Sequence, residues 1–144
     1  PQKPWDVHGS SRLTYENLRT EVHQNQRDFV GPIVIEDSGR ALYVTATLDG
    51  VDAVDVLLLG KAEAEASLGY YLSYGASGPL AGNPSFSDLV HAGAQYTKAL
   101  PVAKGTYYLV WDNTPSAGVV APPVSLLDDR AAMISYVLQI GDAP

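Results

Sequence analysis

The stretch KGTYYLVWDNT, residues 104–114, ends in the polar side chains that are best placed to bind a ligand. In a binding interpretation, Asp112, Asn113 and Thr114 line a loop beside an exposed Trp111. In the alternative, Asp and Asn cap a strand end by hydrogen-bonding neighbouring backbone amides, their usual role in turns. Strand periodicity places Trp111 on one face with Leu109, where we expect burial. The sequence therefore favours a strand end, and Trp111, Asp112, Asn113 and Thr114 remain the binding candidates.

The acidic stretch DGVDAVD supplies the carboxylates of Asp49, Asp52 and Asp55. Hard cations such as calcium need several oxygen ligands, and acidic loops supply them. The spacing matches no EF-hand loop, and Asp55 belongs to the next predicted strand. We therefore expect a solvated turn and no metal or other cofactor, with Asp49 and Asp52 as the metal-ligand candidates.

The tyrosines of GYYLSYG, residues 69–75, are candidates for exposed recognition residues. Tyr70, Tyr71 and Tyr74 lie among Gly and Ser, and tyrosine offers a large contact area with a polar tip. Sugar-binding modules stack pyranose rings on such side chains, so these residues with Trp111 define a carbohydrate-binding alternative. The structural alternative is that Tyr71 packs a helix against the sheet while Tyr70 and Tyr74 lie at its rim.

Hydrolytic catalysis is disfavoured by the residues that it would need. The histidines are His8, His23 and His91; the first lies in an irregular segment and the others have polar neighbours. No G-x-S-x-G nucleophile elbow occurs, and the absence of cysteine excludes thiol nucleophiles, thiolate metal sites and disulfides. The glycine-rich stretch GASGPLAG lacks the lysine and the strand–loop–helix setting of a phosphate-binding loop. We therefore expect that the protein is not an enzyme.

Composition and charge exclude other classes. The chain has 144 residues, 46% hydrophobic and 17% charged, a globular composition that fits one domain. A net charge of −7 with only 9 Lys and Arg argues against nucleic acid and against anionic membrane surfaces. No run of about 18 apolar residues occurs, so no membrane-spanning helix is predicted. Because the chain begins at Pro1 without a Met, we expect a piece of a longer polypeptide.

The hydrophobic pattern predicts strands along most of the chain. ALYVTATL (41–48) and AAMISYVLQIG (131–141) alternate in hydrophobicity, which is typical of strands with one buried face. VDVLLLG (54–60) is continuously apolar, as expected for a strand buried on both faces. Gly31-Pro32 interrupts another β-rich segment and indicates an edge, a bulge or a bend. Further strands are predicted at 94–100 and 106–112, with loops at 75–87 and 113–129.

The remaining segments complete the predicted organisation. Ala and Glu without β-branched residues predict a short helix over Ala62–Tyr71. Residues 1–19 mix Pro, Gly, Ser and charges without a clear period, so we expect an irregular N-terminal extension followed by a single domain over residues 20–144. The sum is an all-β fold, an antiparallel β-sandwich of about six to eight strands with one short helix.

The stretch LPVAKGTYYLVWDNT, residues 100–114, resembles the motif LPxGTYYLVxDNT of bacterial pre-peptidase C-terminal domains and of related GOLD-like sandwiches. The stretches 51–66 and 133–140 also fit that scheme, which spans about 90 residues from Arg40 onward. The Pro-rich link 114–129 is longer than the scheme requires. The resemblance implies a jelly-roll or GOLD-like sandwich that serves as a non-catalytic accessory domain of secreted, surface or trafficking proteins, although fold-level likeness does not fix function.

These observations predict a non-catalytic binding or assembly module of an exported or cell-surface protein. We expect it to act through a protein partner or by self-association. The two alternatives are a carbohydrate-binding module that uses exposed aromatic residues and a self-assembling structural subunit whose edge strands pair between chains. Secretion, the periplasm or the cell surface is the expected location.

Overall fold

Eight β-strands account for most of the residues that a computed structural model of the chain describes, which are 12–23, 26–66, 84–113 and 131–144. Every structural statement below refers to these residues. The strands are β1 (Arg12–Val22), β2 (Gln26–Ile35), β3 (Arg40–Asp49), β4 (Ala53–Gly60), β5 (Phe86–His91), β6 (Tyr96–Val102), β7 (Gly105–Asn113) and β8 (Ala132–Asp142).

The strands form two four-stranded antiparallel sheets. Sheet 1 has the order β1-β8-β3-β6, and sheet 2 has the order β2-β7-β4-β5. The outer strands are therefore β1 and β6 in sheet 1, and β2 and β5 in sheet 2. The predicted all-β antiparallel sandwich is confirmed, and this is the class of protein that the fold defines.

The core between the sheets follows the alternation read from the sequence. From residue 42 to residue 49 of β3, and from residue 132 to residue 140 of β8, every second side chain is buried while the intervening ones are half-buried or exposed. The buried side chains of these two strands that belong to the core between the sheets are Leu42, Val44, Ala46, Leu48, Ala132, Ile134, Tyr136, Leu138 and Ile140. Both predicted strands and their inward faces are confirmed.

Sheet 2 is buried on its outer face as well. Six consecutive residues of β4, from Val54 to Leu59, are buried, which confirms the prediction of a strand covered on both faces. Leu57, Leu59 and Val110 form a second apolar cluster on the outer face with Ala64. Ala64 belongs to the helical residues 61–66. The predicted helix over Ala62–Tyr71 is confirmed as far as residue 66, and the rest lies outside the described residues.

Two outer strands carry irregularities that the sequence indicated in part. The pairing of β2 with β7 shifts register between Val30 and Ile33, where Gly31-Pro32 lies. This confirms the predicted edge and bulge, because Pro32 lacks the N–H that a central strand requires. In β1, the pairing with β8 shifts between Thr14 and Glu16. Such shifts break the simple period-two pattern of a strand.

Three predicted boundaries are corrected by the structure. The prediction of an irregular extension over residues 1–19 is wrong for 12–19, since these residues belong to β1. The sequence pattern did not indicate this strand, because the register shift at Tyr15 disrupts its alternation and most of its side chains are exposed. Phe86 and Ser87, assigned to a loop, begin β5. The strand predicted at 94–100 is β6, which begins at Tyr96 and extends to Val102.

Within the described ranges, no helix has both the length and the apolar character needed to cross a membrane.

Candidate functional site

The polar end of β7 is buried. Trp111 is 0% exposed, and its ring centroid lies 5.3 Å from that of Tyr136. Asp112 and Asn113 are 0% and 1% exposed. The predicted burial of Trp111 is therefore confirmed, whereas the interpretation of Trp111, Asp112 and Asn113 as an exposed binding loop is wrong. Thr114 lies outside the described residues.

Asp112 forms a buried ion pair with Arg27 on the neighbouring strand. Arg27 Nε donates to Asp112 Oδ2, and the two side chains are 3% and 0% exposed. Asp55 of β4 lies opposite Asp112 on its other side and is also fully buried. The row Arg27, Asp112 and Asp55 crosses three strands on the outer face of sheet 2. Asp112 therefore does not cap a turn, as the sequence suggested, but pairs with a buried cation.

Asn113 joins the two sheets. Its Nδ2 donates to the backbone oxygen of Val22, the last residue of β1, at 3.1 Å, and this hydrogen bond is buried. The expected bond from Asn113 to a neighbouring amide is thus replaced by a contact 91 positions away in sequence. The Oδ1 atom of Asn113 accepts no hydrogen bond from the described residues.

We expect Asn113→Ala to lower the free energy of unfolding by about 1–3 kcal/mol, because it removes a buried hydrogen bond between the two sheets. The loss should lie toward the lower end, since the substitution also removes the unpartnered Oδ1. Urea unfolding measures the change. Asn17→Ala is the matched control: Asn17 is exposed on β1 and should change stability by less than about 0.5 kcal/mol. Equal losses in the two variants would show that the inter-sheet hydrogen bond contributes nothing.

The other predicted candidates are placed as follows. Asp49 Oδ1 accepts a hydrogen bond from Gly50 N at 2.9 Å, and Gly50 has a φ of +87°, a conformation that favours glycine. Asp49 and Asp52 are both exposed at this turn. No three His, Asp or Glu side chains in the described ranges are arranged to hold a metal ion. Tyr70, Tyr71 and Tyr74 lie outside the described residues.

The described histidines are separated from each other. His23 Nε2 lies 3.0 Å from Glu21 Oε1 at the partly exposed end of β1. His91 is exposed at the end of β5, and His8 lies outside the described residues.

A groove that the sequence did not indicate runs between β1 and β2, the adjacent outer strands of the two sheets. It has a volume of about 320 Å³ and will be called the β1–β2 groove. Tyr136 of β8 lies at its floor, because Leu18 pairs with Tyr136 on the inner face of sheet 1. The groove is lined by Tyr15, Glu16, Leu18, Asp28, Phe29, Val30, Gly31 and Tyr136.

Two side-chain bridges join β1 to β2 at the ends of this groove. Tyr15 Oη donates to the backbone oxygen of Pro32 at 3.0 Å. Thr20 Oγ1 donates to Asp28 Oδ2. The intervening stretch of β1 spans about 16 Å, given a rise of about 3.3 Å per residue in a strand. Over that length the sandwich is open, and Leu18 is 51% exposed although it lies on the inner face.

Two carboxylates and the hydroxyl of Tyr136 converge in the β1–β2 groove. Glu16 and Asp28 lie on inner faces, since they pair with the core residues Leu138 and Trp111. Tyr136 is only 3% exposed. Burial and the nearby charges of Asp28 and Glu16 raise the pKa of Tyr136 to about 12, so its hydroxyl stays protonated at neutral pH.

Glu16, Asp28 and Tyr136 have acceptor oxygens that the described residues leave partly unused. No hydrogen bond joins the Tyr136 hydroxyl to any described residue, and Glu16 has no ion-pair partner among them. Asp28 accepts from Thr20 and from the Phe29 amide, the latter at 2.9 Å, but meets no described cation. Two carboxylates that meet no described cation, beside a hydroxyl oxygen that can also accept, form a place where a donor can bind.

Sequence reasoning missed this groove for identifiable reasons. Glu16 lay in the segment that was predicted to be an irregular extension, and Asp28 belongs to no recognisable sequence motif. The one available signal was a charged residue at an inner-face position of a strand. Asp28 stands two residues before Val30 in the alternation of β2, which places it on the inner face.

The opposite opening of the sandwich lies between β5 and β6 and has a different charge. Lys98 pairs with Val44, so it lies on the inner face of sheet 1, yet it is exposed. Asp88 of β5 accepts a hydrogen bond from Tyr96 Oη at 2.8 Å. Burial together with this hydrogen bond and the charge of Asp88 raises the pKa of Tyr96 well above its usual value. No carboxylate of the described residues pairs with Lys98.

Comparison with known proteins finds no family model that matches the chain and no matching curated protein. The resemblance to pre-peptidase C-terminal and GOLD-like domains therefore stays an expectation. Among solved structures, the chain is similar to one described as "Bacillus endospore appendages form a novel family of disulfide-linked pili". The similarity has 6% identity and a TM-score of 0.45, and covers 96% of each chain. This chain contains no cysteine.

Proposed function

We propose that this protein is a non-catalytic module that binds an extended protein segment along β1 and takes a basic side chain of that segment into the β1–β2 groove. The observation that carries the proposal is the convergence of Glu16, Asp28 and the Tyr136 hydroxyl in one groove, where neither carboxylate meets a described cation. An exported or cell-surface location is part of the same proposal.

The chemistry of the groove suits a primary ammonium group. A lysine ammonium has three N–H donors and no acceptor. Glu16, Asp28 and Tyr136 each offer an oxygen acceptor within one opening. Hydrogen bonds from a cation to carboxylates are stronger than neutral ones, and the partly enclosed setting strengthens them further.

The position of the groove suits a strand. β1 is an outer strand of sheet 1, so one edge of its backbone is open to a further strand. A segment that pairs there directs alternate side chains over the β1–β2 groove. Main-chain hydrogen bonds then supply affinity, and the groove selects the side chain, which is the usual division in strand addition.

A peptide titration followed by NMR tests this proposal. The probes are two capped five-residue peptides, Val-Thr-Lys-Thr-Val and Val-Thr-Glu-Thr-Val, added at millimolar concentration to the isotope-labelled chain. We expect the lysine peptide to shift amide signals of 13–20 and 28–31, and the glutamate peptide to leave them unchanged. Tyr136→Phe and Glu16→Gln should each weaken binding of the lysine peptide about tenfold, since a hydrogen bond to a charged group contributes about 1.5–3 kcal/mol.

Stability provides the control for these variants. Tyr136→Phe removes a hydroxyl that bonds no described residue, so the unfolding free energy should fall by less than about 0.5 kcal/mol. Binding lost at unchanged stability places the hydroxyl in the site. Equal affinity for the two peptides, or undiminished binding by Tyr136→Phe and Glu16→Gln, would contradict the proposal.

The carbohydrate-binding alternative can no longer include Trp111. Trp111 is 0% exposed, so no sugar ring can stack on it. The alternative now depends on Tyr70, Tyr71 and Tyr74, which lie outside the described residues.

A further inference from the structure

Sheet 1 ends on its far side in β6, whose inner-face charge is opposite to that of the β1–β2 groove. Lys98 lies near the middle of β6, between Tyr96 and Leu100 on the same face. It is exposed, and no carboxylate of the described residues pairs with it. One edge of the sheet thus offers two carboxylates, and the opposite edge offers a cation.

We propose that the segment bound along β1 is β6 of a second copy of this chain, with Lys98 as the side chain that enters the β1–β2 groove. This proposal rests on the proposed function and names its partner. The contact joins β1 of one copy to β6 of the other. The first copy therefore keeps a free β6 edge, and the second keeps a free β1 edge. Repetition of the contact therefore builds an open head-to-tail chain.

The strand directions of sheet 1 permit this contact without rearrangement. All three pairings in the sheet are antiparallel. In four alternating strands, the first and the last run in opposite directions. A second copy displaced sideways by the width of the sheet therefore brings its β6 antiparallel to β1, and the sheet continues from one copy to the next.

The inner-face side chains of β1 and β6 also match in register. When Lys98 lies beside Glu16, Tyr96 lies beside Leu18. Leu100 then lies beside Leu13, because the shift at Tyr15 makes Leu13 and Glu16 successive inner-face positions. Leu18 is 51% exposed, so an apolar neighbour there removes exposed apolar surface. The contact is thus one charge pair flanked by two apolar pairs.

The same charges oppose the alternative pairings of sheet 1. If two β1 edges paired, Glu16 of one copy would lie near Glu16 of the other. If two β6 edges paired, the two copies of Lys98 would lie near each other. Like charges across paired strands are unfavourable. Pro101 has no N–H, so it cannot donate to a further strand along β6. In sheet 2, β2 is interrupted at Pro32 and β5 has only six residues. The β1–β6 contact is the pairing that remains.

Charge reversal tests this contact. Sedimentation velocity is measured from 10 µM to 1 mM on the wild-type chain, on Lys98→Glu, on Glu16→Lys, and on the chain with both substitutions. We expect the average mass of the wild type to rise with concentration and to fall at high salt. Each single reversal should weaken association at least tenfold, and the double reversal should restore it, because it exchanges the two charges across the same contact.

Lys104→Glu is the matched control. Lys104 is exposed in the turn between β6 and β7, and its reversal changes net charge equally but should leave association unchanged. Circular dichroism and urea unfolding confirm that each variant is folded. A wild type that stays monomeric at 1 mM, or Lys98→Glu that associates like the wild type, overturns this proposal. If the lysine peptide still shifts the signals of 13–20 in that case, the proposed function stands and the partner is a different protein.

Discussion

Replacing Asp112 with alanine should lower the free energy of unfolding by about 3–5 kcal/mol, because it leaves the Arg27 guanidinium buried opposite a missing carboxylate. Arg27 has a side chain only 3% exposed, so the guanidinium has no direct route to bulk water. The cost is the loss of a buried ion-pair partner, and it exceeds what an exposed ion pair contributes. Urea unfolding at pH 7 measures it.

The ion pair between Arg40 and Asp142 is the matched control. Arg40 Nη1 donates to Asp142 Oδ1 between β3 and β8, but the Asp142 side chain is 48% exposed. Asp142→Ala should therefore cost less than about 1 kcal/mol. A double variant, Arg27→Met with Asp112→Leu, should recover most of the stability lost in Asp112→Ala, since apolar residues of similar volume commonly replace a buried pair without loss. Equal losses in Asp112→Ala and Asp142→Ala would show that the buried pair is not a structural element.

The strands of the core were predictable because their signals are local. In β3, Leu42, Val44 and Ala46 mark the inner face by alternation alone, and every pairing of that strand preserves it. The continuous apolar run of β4 likewise required two covered faces, and the second cover is the cluster around Ala64. The hydrophobic period and the length of the apolar run were therefore sufficient to predict the sandwich.

The polar residues were not predictable, because their partners are distant in sequence. Asp112 meets Arg27 across 85 positions, and Asn113 meets Val22 across 91. Read locally, Asp112 and Asn113 form a typical strand end, and only the pairing of β2 with β7 shows that they are interior. Motif reading assigns such residues to turns because it does not include the sheet order.

The candidate site was missed for a related reason. Glu16, Asp28 and Tyr136 come from three strands, and the register shift at Tyr15 hides the face on which Glu16 lies. Inner-face charges on outer strands commonly protect a sheet from pairing at random. Here the two outer strands of sheet 1 carry opposite inner-face charges. These charges disfavour pairing of two β1 edges or two β6 edges, but they allow a β1 edge to pair with a β6 edge.

Leu109→Ala should lower the free energy of unfolding by about 2–5 kcal/mol, because the side chain is fully buried at the centre of sheet 2. Leu109 pairs with Val30 of β2 on one side and Leu58 of β4 on the other, and it faces sheet 1. These neighbours belong to hydrogen-bonded strands that cannot close fully around the space left by the lost side chain. The cost therefore includes a cavity in addition to the lost burial.

Leu18→Ala provides the comparison, since it deletes the same atoms from an inner-face position that is 51% exposed. At concentrations where the chain is monomeric, it should cost less than about 1 kcal/mol, as surface substitutions usually do. Urea unfolding of both variants should shift the midpoint with an unchanged slope. If Leu109→Ala is no more costly than Leu18→Ala, then β7 does not present Leu109 and Trp111 to the core, and the inner-face position of Asp28 opposite Trp111, on which the β1–β2 groove depends, is wrong as well.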